Sequence, residues 1–428
     1  MTEERLYWDP EHETMAMPEL RSYQLGRVKP LLEWAYANSP YYRASFDAAG
    51  LRPAHVDSLD TFSARVPFIT KEGIIEAQQA SPPWGGFLSV PTADLARIYI
   101  APGPIHMPFT PEDFDGMAET AAVGMWAAGV RPSDIGDVTP NYHWVMAGTW
   151  LDYSYRKVGV AVVPGGIGNT KMHVEAMQML KITTTFAFST FFVQLAETAK
   201  EMGLDLRKDL ALRVAMIGGE LKPKEAIAEL ERMYGMKVRE NYGTADLAMV
   251  GFECDAQAGM HLGPYHIVEI LDPVTQQPVP GGNGGEIVVT ALFRRAMPII
   301  RYRTGDVVGY LSHEACSCGR QTPRLGPIVG RVGDIPRVKG MFIVPKQIEN
   351  ALFPFQGLGR FQMVIDRPRL GDELTVRIEA GPGVDRAGTK AAVAKALREA
   401  IRIGAEVEFV DAGTLPEGTP LVVDKRVV

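Results

Sequence analysis

Four side chains carry the chemistry of a metal site. They are Cys254, His261, Cys316 and Cys318. Zinc takes four soft or borderline ligands in a tetrahedron, and a CxC pair with a distant Cys/His pair supplies a Cys3His set. All 3 cysteines of the 428-residue chain fall in this one stretch. Clustered cysteines outside a disulfide framework more often hold a metal than pair with one another. The plain alternative is three unrelated thiols and a surface histidine. Turn glycines before His261 (Gly259) and after Cys318 (Gly319) favour zinc. A filled set of four leaves no position for water, which makes the role structural.

A second group of residues suits a nucleotide. Asn241-Tyr242-Gly243-Thr244-Ala245-Asp246 ends a predicted strand. A tyrosine there can stack on a base, and a following carboxylate can meet a metal or a phosphate-bound ion. Tyr302-Arg303-Thr304-Gly305-Asp306 places an aspartate after a tight glycine turn, suited to accept from both hydroxyls of a ribose. Gly330-Arg331 offers an arginine in reach of a ribose or phosphate. Each has a bland alternative: a half-buried strand tyrosine, a turn aspartate, a surface arginine. Their order ahead of a small C-terminal region argues against chance.

The elements that must position them follow from periodicity. The first 70 residues read as helical, with Gly50 as a stop, a proline break after Val66 and a new helix start at Thr70. From Leu95 to about Phe252 short apolar runs ending in glycine alternate with helical patterns, which predicts a mostly parallel α/β sheet. Ligands on such sheets bind beyond the carboxyl ends of the strands. That points to the loops at 164–169, 189–192, 218–220 and 241–246. After Gly259 the strands HIVEILDP, GGEIVVTAL and DVVGYL predict an antiparallel β unit. A boundary falls near Gly330–Asp334, followed by a small β/α domain.

Composition bounds the rest. Hydrophobic residues make up 46% and charged residues 22%, ordinary for a globular chain of two or three domains. The net charge of −7 disfavours a nucleic-acid binder. No run is long and apolar enough for a membrane span, and the acidic start MTEERLYWDPEHE is unlike a secretory signal, so a cytoplasmic enzyme is expected.

These residues resemble the phenylacetate–CoA ligase family of AMP-forming acyl-adenylating enzymes. The resemblance runs through LLEWAYANSPYYRASFDAAG, VPFITKEGI, VVPGGIGNT, ENYGTAD, IIRYRTGD, CSCGR, GRVGD and RVKGMFIVPKQIE. It implies a large N-terminal α/β domain over 1–331, with a β-rich, zinc-bearing part at about 247–330, and a small mobile α+β domain over 332–428. The implied hinge is Val332-Gly333-Asp334. The implied reaction has two steps. ATP and a carboxylic acid give an acyl-adenylate, and coenzyme A then displaces AMP. Hydroxide is a poor leaving group, whereas AMP is a stable one. Mg2+ would neutralise phosphate charge.

The resemblance further implies that Tyr242 stacks on adenine, with Gly218, Gly219, Glu220, Asn241 and Gly243 around it. Asp306 and Arg331 would hold the ribose, and Thr244 and Asp246 would serve catalysis. The acid would lie near Tyr142, His143, Gly165, Gly166, Ser189 and Phe192, a lining suited to an aryl or a compact, hydroxylated acid. Trp144 and Phe192 read equally as core. The Cys254, His261, Cys316, Cys318 set matches a zinc site of relatives, and a homodimer is the family habit.

Three features depart from the family pattern. The usual lysine-bearing, hydroxyl-rich phosphate loop is replaced by Ala101–Thr110, rich in proline, where His106 is the one cationic substitute. The usual Ser/Thr-Glu is Ala245-Asp246. The C-terminal lysine falls near Thr419, with Lys425 as a substitute. The alternatives are an adenylate-forming amide or carrier synthetase, or an impaired nucleotide-binding homologue.

Overall fold

The computed structural model describes residues 6–219, 224–279, 282–332, 336–338, 341–343, 345–367, 372–401 and 403–426. The chain divides into two compact units, Met1–Ile328 and Val329–Val428.

The first unit is built on five parallel strands, adjacent in the order Ala161–Val163, Ile135–Val138, Thr184–Ala187, Val214–Ile217 and Lys237–Thr244. Helices Ala147–Val158, Thr170–Met179, Ser189–Glu201 and Lys224–Tyr234 make the crossovers. Both faces are covered, so the inner strands Thr184–Ala187 and Val214–Ile217 are buried along their whole length rather than alternating. The period of two is still visible in where side chains go. Val214 and Met216 enter one core with Met125, Val138 and Tyr155. Ala215 and Ile217 enter a second core with Ile182, Leu195 and Tyr234. Helix Pro111–Ala128 lies on the first face. It starts from a Thr110–Asp113 capping box, and Gly124 lets it approach so closely that a Cβ there would sit 2.2 Å from Met249 Sδ.

The last parallel strand turns sharply into the antiparallel Ala248–Phe252. From there Met260–Leu262, Arg324–Leu325, Tyr302–Ser312, Asn283–Ala291 and His266–Leu271 continue the sheet. The expected antiparallel unit is present, but its third strand starts before DVVGYL, at Tyr302. Asp306 therefore sits in a strand, and not after a turn. Glu286 pairs with Val307 while Val288 pairs with Arg303, so residues 304–306 form a bulge opposite Ile287. Bulges re-aim side chains, and this one carries the aspartate.

A second correction concerns the proline-rich stretch. Arg97–Ala101 and Ile105–Phe109 form an antiparallel hairpin, so most of the expected loop Ala101–Thr110 is strand. The N-terminal helix is also broken: Ser39 ends Met17–Asn38 and caps Pro40–Ala48. Thr70 caps helix Lys71–Ala80 as its sequence predicts.

The second unit holds a four-stranded sheet in the order Glu406–Asp411, Glu373–Ala380, Leu358–Asp366, Val422–Asp424. Ile348 from helix Pro345–Leu352 and Leu397 from helix Arg386–Ile401 share its core with Val376 and Ile378. No helix among the described residues is long and apolar enough to cross a membrane.

Candidate functional site

The carboxyl ends of the parallel strands gather most of the residues singled out by sequence. Asn241 donates from its side chain to the Ile217 carbonyl at 2.6 Å and packs so tightly on Gly218 that a Cβ there would lie 2.8 Å from Asn241 Oδ1. Asn241 thus fixes the adjacent strand ends. Gly219 faces the ring of Phe188, which is exposed at the end of Thr184–Ala187. Glu220 lies outside the described residues.

Tyr242 donates its hydroxyl to Asp306 Oδ2 at 3.0 Å. Burial and then the Asp306 charge raise its pKa well above the phenolic range, so it is a permanent donor. This contact links two residues 64 positions apart and orients the carboxylate on its bulge. Among the described residues the Thr244 hydroxyl is buried without a hydrogen-bond partner, and a bound polar group would satisfy it. Asp246 is buried, and the Tyr302 hydroxyl donates to its Oδ2 at 3.4 Å. Burial raises its pKa, opposed by Arg294, Tyr302 and Lys71. A desolvated carboxylate with spare acceptor capacity is a fit for a cation.

Two cations near Asp246 escaped the sequence reading. Arg294 is fully buried, stacks 4.0 Å from the centre of the Phe109 ring, and reaches the Pro108 carbonyl at 3.3 Å. Lys71 begins its helix one step beyond the register that pairs Thr70 with Arg303. Its charge acts on Asp246. Its only signal in sequence was a helix start.

The pocket loops are joined by a buried pair. Tyr142 lies beside Gly166 and donates to Asp152 at 3.2 Å. Gly165 covers His173 and Asp137: a Cβ on it would sit 2.3 Å from His173 Cε1 and 2.6 Å from Asp137 Oδ1. Neither partner has room to retreat, so Gly165→Ala is expected to lower stability by about 1–3 kcal/mol through overpacking. Chemical denaturation of the purified variant reads this directly, and an unchanged midpoint would refute it.

Other residues fall elsewhere. Ser189 is buried at the start of its helix, and His143 is exposed. Phe192 is core, not pocket: it is fully buried among Leu195 and its neighbours, and Tyr234 donates to its carbonyl. Trp144 is the reverse, 77% exposed with φ of 64°. His106 is tied into the hairpin, its Nδ1 3.0 Å from the Pro83 carbonyl. Arg331 ends strand Ile328–Arg331 and is exposed. Lys425 belongs to the second unit, where its amide bonds to Ile365 and its side chain is exposed. Gly333 and Asp334 of the expected hinge lie outside the described residues.

The four metal-site residues meet. Their ligand atoms all lie within 4.8 Å of one another. Cys254 Sγ is 3.7 Å from Cys316 Sγ, and Cys318 Sγ is 3.4 Å from His261 Nε2. Ligands at about 2.3 Å (sulfur) and 2.0–2.1 Å (nitrogen) from a tetrahedral zinc would be separated by roughly 3.5–3.8 Å, so the donors fit such an ion. Thr322 Oγ1 lies 3.3 Å from His261 Nδ1 and orients the ring. Arg320 ties the turn to the N-terminus through Glu13 at 2.6 Å.

The AMP-binding enzyme family matches residues 116–291, and the AMP-binding enzyme C-terminal domain matches 340–426. The chain is 30% identical to a phenylacetate-coenzyme A ligase of Thermus thermophilus over 87% of its own length and 84% of the relative's. It belongs to the phenylacetate–CoA ligase family. A second such ligase, from Aromatoleum evansii, is 30% identical over 91% of this chain and 89% of its own. Among solved structures, the open conformation of 2-hydroxyisobutyryl-CoA ligase with 2-HIB-AMP and CoA is 27% identical, with a TM-score of 0.90 over 99% of this chain and 95% of that one. As a member of this family, the protein is an AMP-forming acid–thiol ligase, and its reaction takes ATP, a carboxylic acid and coenzyme A.

Proposed function

We propose that the chain activates a compact acid, aryl or short and hydroxylated, at the carboxyl ends of Ile135–Val138, Ala161–Val163 and Thr184–Ala187. The observation that carries this is the Tyr242–Asp306 contact, with the buried Asp246 and a Thr244 hydroxyl unpartnered among the described residues at the end of the same strand. Tyr242 would face the adenine, and Asp306, oriented by that phenol, would take the ribose hydroxyls. Gly218 and Asn241 keep the base slot open. Asp246 would hold Mg2+, which supplies charge neutralisation on the phosphates. Lys71 would supply the cation that Ala101–Thr110 lacks, since the hairpin's Arg97 lies over the Phe114 ring. Tyr142, Gly165 and Gly166 would enclose the acid, and the bulk of Tyr142 limits its length. The 2-hydroxy acid of the solved relative supports a small, polar substrate.

In the same reading the Cys254, His261, Cys316, Cys318 set holds structural zinc, and residues after Arg331 form the mobile domain. Two copies would associate, as the family resemblance implies.

The test is an acid panel with ATP, with and without coenzyme A, read by mass detection of the thioester. Aryl acids or short hydroxy acids should yield acyl-CoA. Pyrophosphate release with product appearing only on an amine would replace coenzyme A as acceptor. Asp306→Ala should raise the KM for ATP by about tenfold or more, the cost of one charge-assisted bidentate contact. An unchanged KM in a folded variant would remove Asp306 from the ribose.

A further inference from the structure

One buried pair beneath the Gly165–Gly166 turn has no part in the reaction as described so far. Asp137 is fully buried at the end of its strand. Its Oδ2 is 2.6 Å from His173 Nδ1, and its Oδ1 has no hydrogen-bond partner among the described residues. On the other side of the ring, His173 Nε2 is 3.0 Å from the Gly166 carbonyl oxygen. A carbonyl can only accept, and so can an ionised carboxylate. A neutral imidazole carries one N–H and cannot serve both. The geometry is satisfied by two ring protons and one buried carboxylate.

The groups packed around the pair are neutral. Phe191 meets the ring edge-on at 5.3 Å. Tyr142 and Tyr155 stand near Asp137; burial raises both phenols most, followed at Tyr142 by the charge and hydrogen bond of Asp152 and then by Asp137, opposed by Arg156, and at Tyr155 by Asp137 and Asp134, opposed by the Thr184 hydrogen bond. No lysine or arginine among the described residues bonds to Asp137, so His173 is its counter-ion.

We propose that His173, protonated on both nitrogens, is a positioning residue for the acid: it ties the Gly166 carbonyl to a buried carboxylate and so holds the turn that lines the acyl pocket. The proposal rests on the reading of Gly165 and Gly166 as pocket residues. Burial opposes the imidazolium, but its bond and attraction to Asp137, aided by Gly166, hold its proton above the ordinary imidazole range. The sign follows. The folded pKa is raised, so the link is complete below the ordinary value of about 6.5 and is lost as pH rises through the raised value. The KM for the acid should be flat on the acid side and climb on the alkaline side, while the KM for ATP stays level.

Three measurements test this on the full chain, with an acid taken from the panel. Nitrogen-15 spectra of histidine-labelled protein should show His173 protonated at both ring positions at pH 7.5. His173→Leu should raise the KM for the acid about tenfold, leave that for ATP within about twofold, and abolish the alkaline climb. Asp137→Asn is the isosteric control. Its carboxamide can donate to the Nδ1 of a neutral ring whose Nε2–H still reaches Gly166. It should keep the neutral-pH KM and lose the pH dependence. A bare ring nitrogen at pH 7.5, or an alkaline climb that persists in Asp137→Asn, overturns the proposal. A doubly protonated ring with His173→Leu acting on the KM for ATP also overturns it, and that pattern separately removes this turn from the acid pocket.

Discussion

Replacing Lys71 with alanine is expected to slow acyl-adenylate formation by about 10²–10³-fold, on the order of 3–4 kcal/mol of transition-state stabilisation. Thioester formation from a supplied adenylate should be unchanged. The argument is electrostatic. Charge builds on the phosphates as pyrophosphate departs, and a fixed cation in a desolvated site stabilises it without reorganisation. The hairpin over 97–109 offers no lysine, and its one imidazole already contacts the Pro83 carbonyl. Arg294 is fully enclosed under Phe109 and contributes its field from below. Lys71 is only partly buried, and its charge acts on the carboxylate proposed to hold the metal. Lys425→Ala is the comparison. Its side chain is exposed at the tail of the second unit, and its loss should change adenylation by no more than about twofold, as ordinary surface substitutions do. Measuring the two half-reactions separately decides between them. Adenylation abolished in Lys425→Ala and intact in Lys71→Ala would reverse the assignment.

Much of this site could be read before folding was considered. The alternation of apolar runs and helical patterns was strong enough to place the parallel sheet, because strands covered on both faces read as short, mostly apolar runs. The glycine endings then marked the loops at its carboxyl edge. The four zinc-type ligands were visible because cysteines are rare and all of them were used. What could not be read was position in depth. Phe188 ends a strand pattern and Phe192 begins the helix pattern that follows it. Phe192 is core and Phe188 is exposed against Gly219, and nothing in their apolar character tells the two apart. Asp306 looked like a turn residue because Gly305 precedes it, yet pairing on both sides converts the turn into a bulge. Asp137 and His173 stood in segments read only as strand and helix. Nothing in their spacing tells that a crossover brings them to 2.6 Å. The proline-rich stretch misled for a local reason: proline removes a donor from a sheet, but the two-stranded hairpin leaves its outer edges free of that demand.

The second large effect belongs to the metal-type cluster. Purified protein should carry about one zinc per chain, and Cys316→Ala should lose it. The stability cost should be about 3–5 kcal/mol, comparable to removing a native cross-link and enough to lower the first unit's melting temperature by roughly 10 °C. The cause is topological. Cys254 follows one strand, His261 lies in the next, and Cys316 and Cys318 follow a third that is distant in sequence. Without the ion, three cysteines and an imidazole face one another at distances set for a shared partner. The loss should spread toward the N-terminus, because Tyr7 bonds to the Cys318 carbonyl and Arg320 holds the buried Glu13. Limited proteolysis should therefore cut earlier than residue 16 in the chelator-treated protein and not in the holoprotein. Protein isolated without zinc that melts no earlier than zinc-loaded protein would show that the cluster closes without metal and that the Tyr7 and Glu13–Arg320 contacts suffice to hold the N-terminal segment.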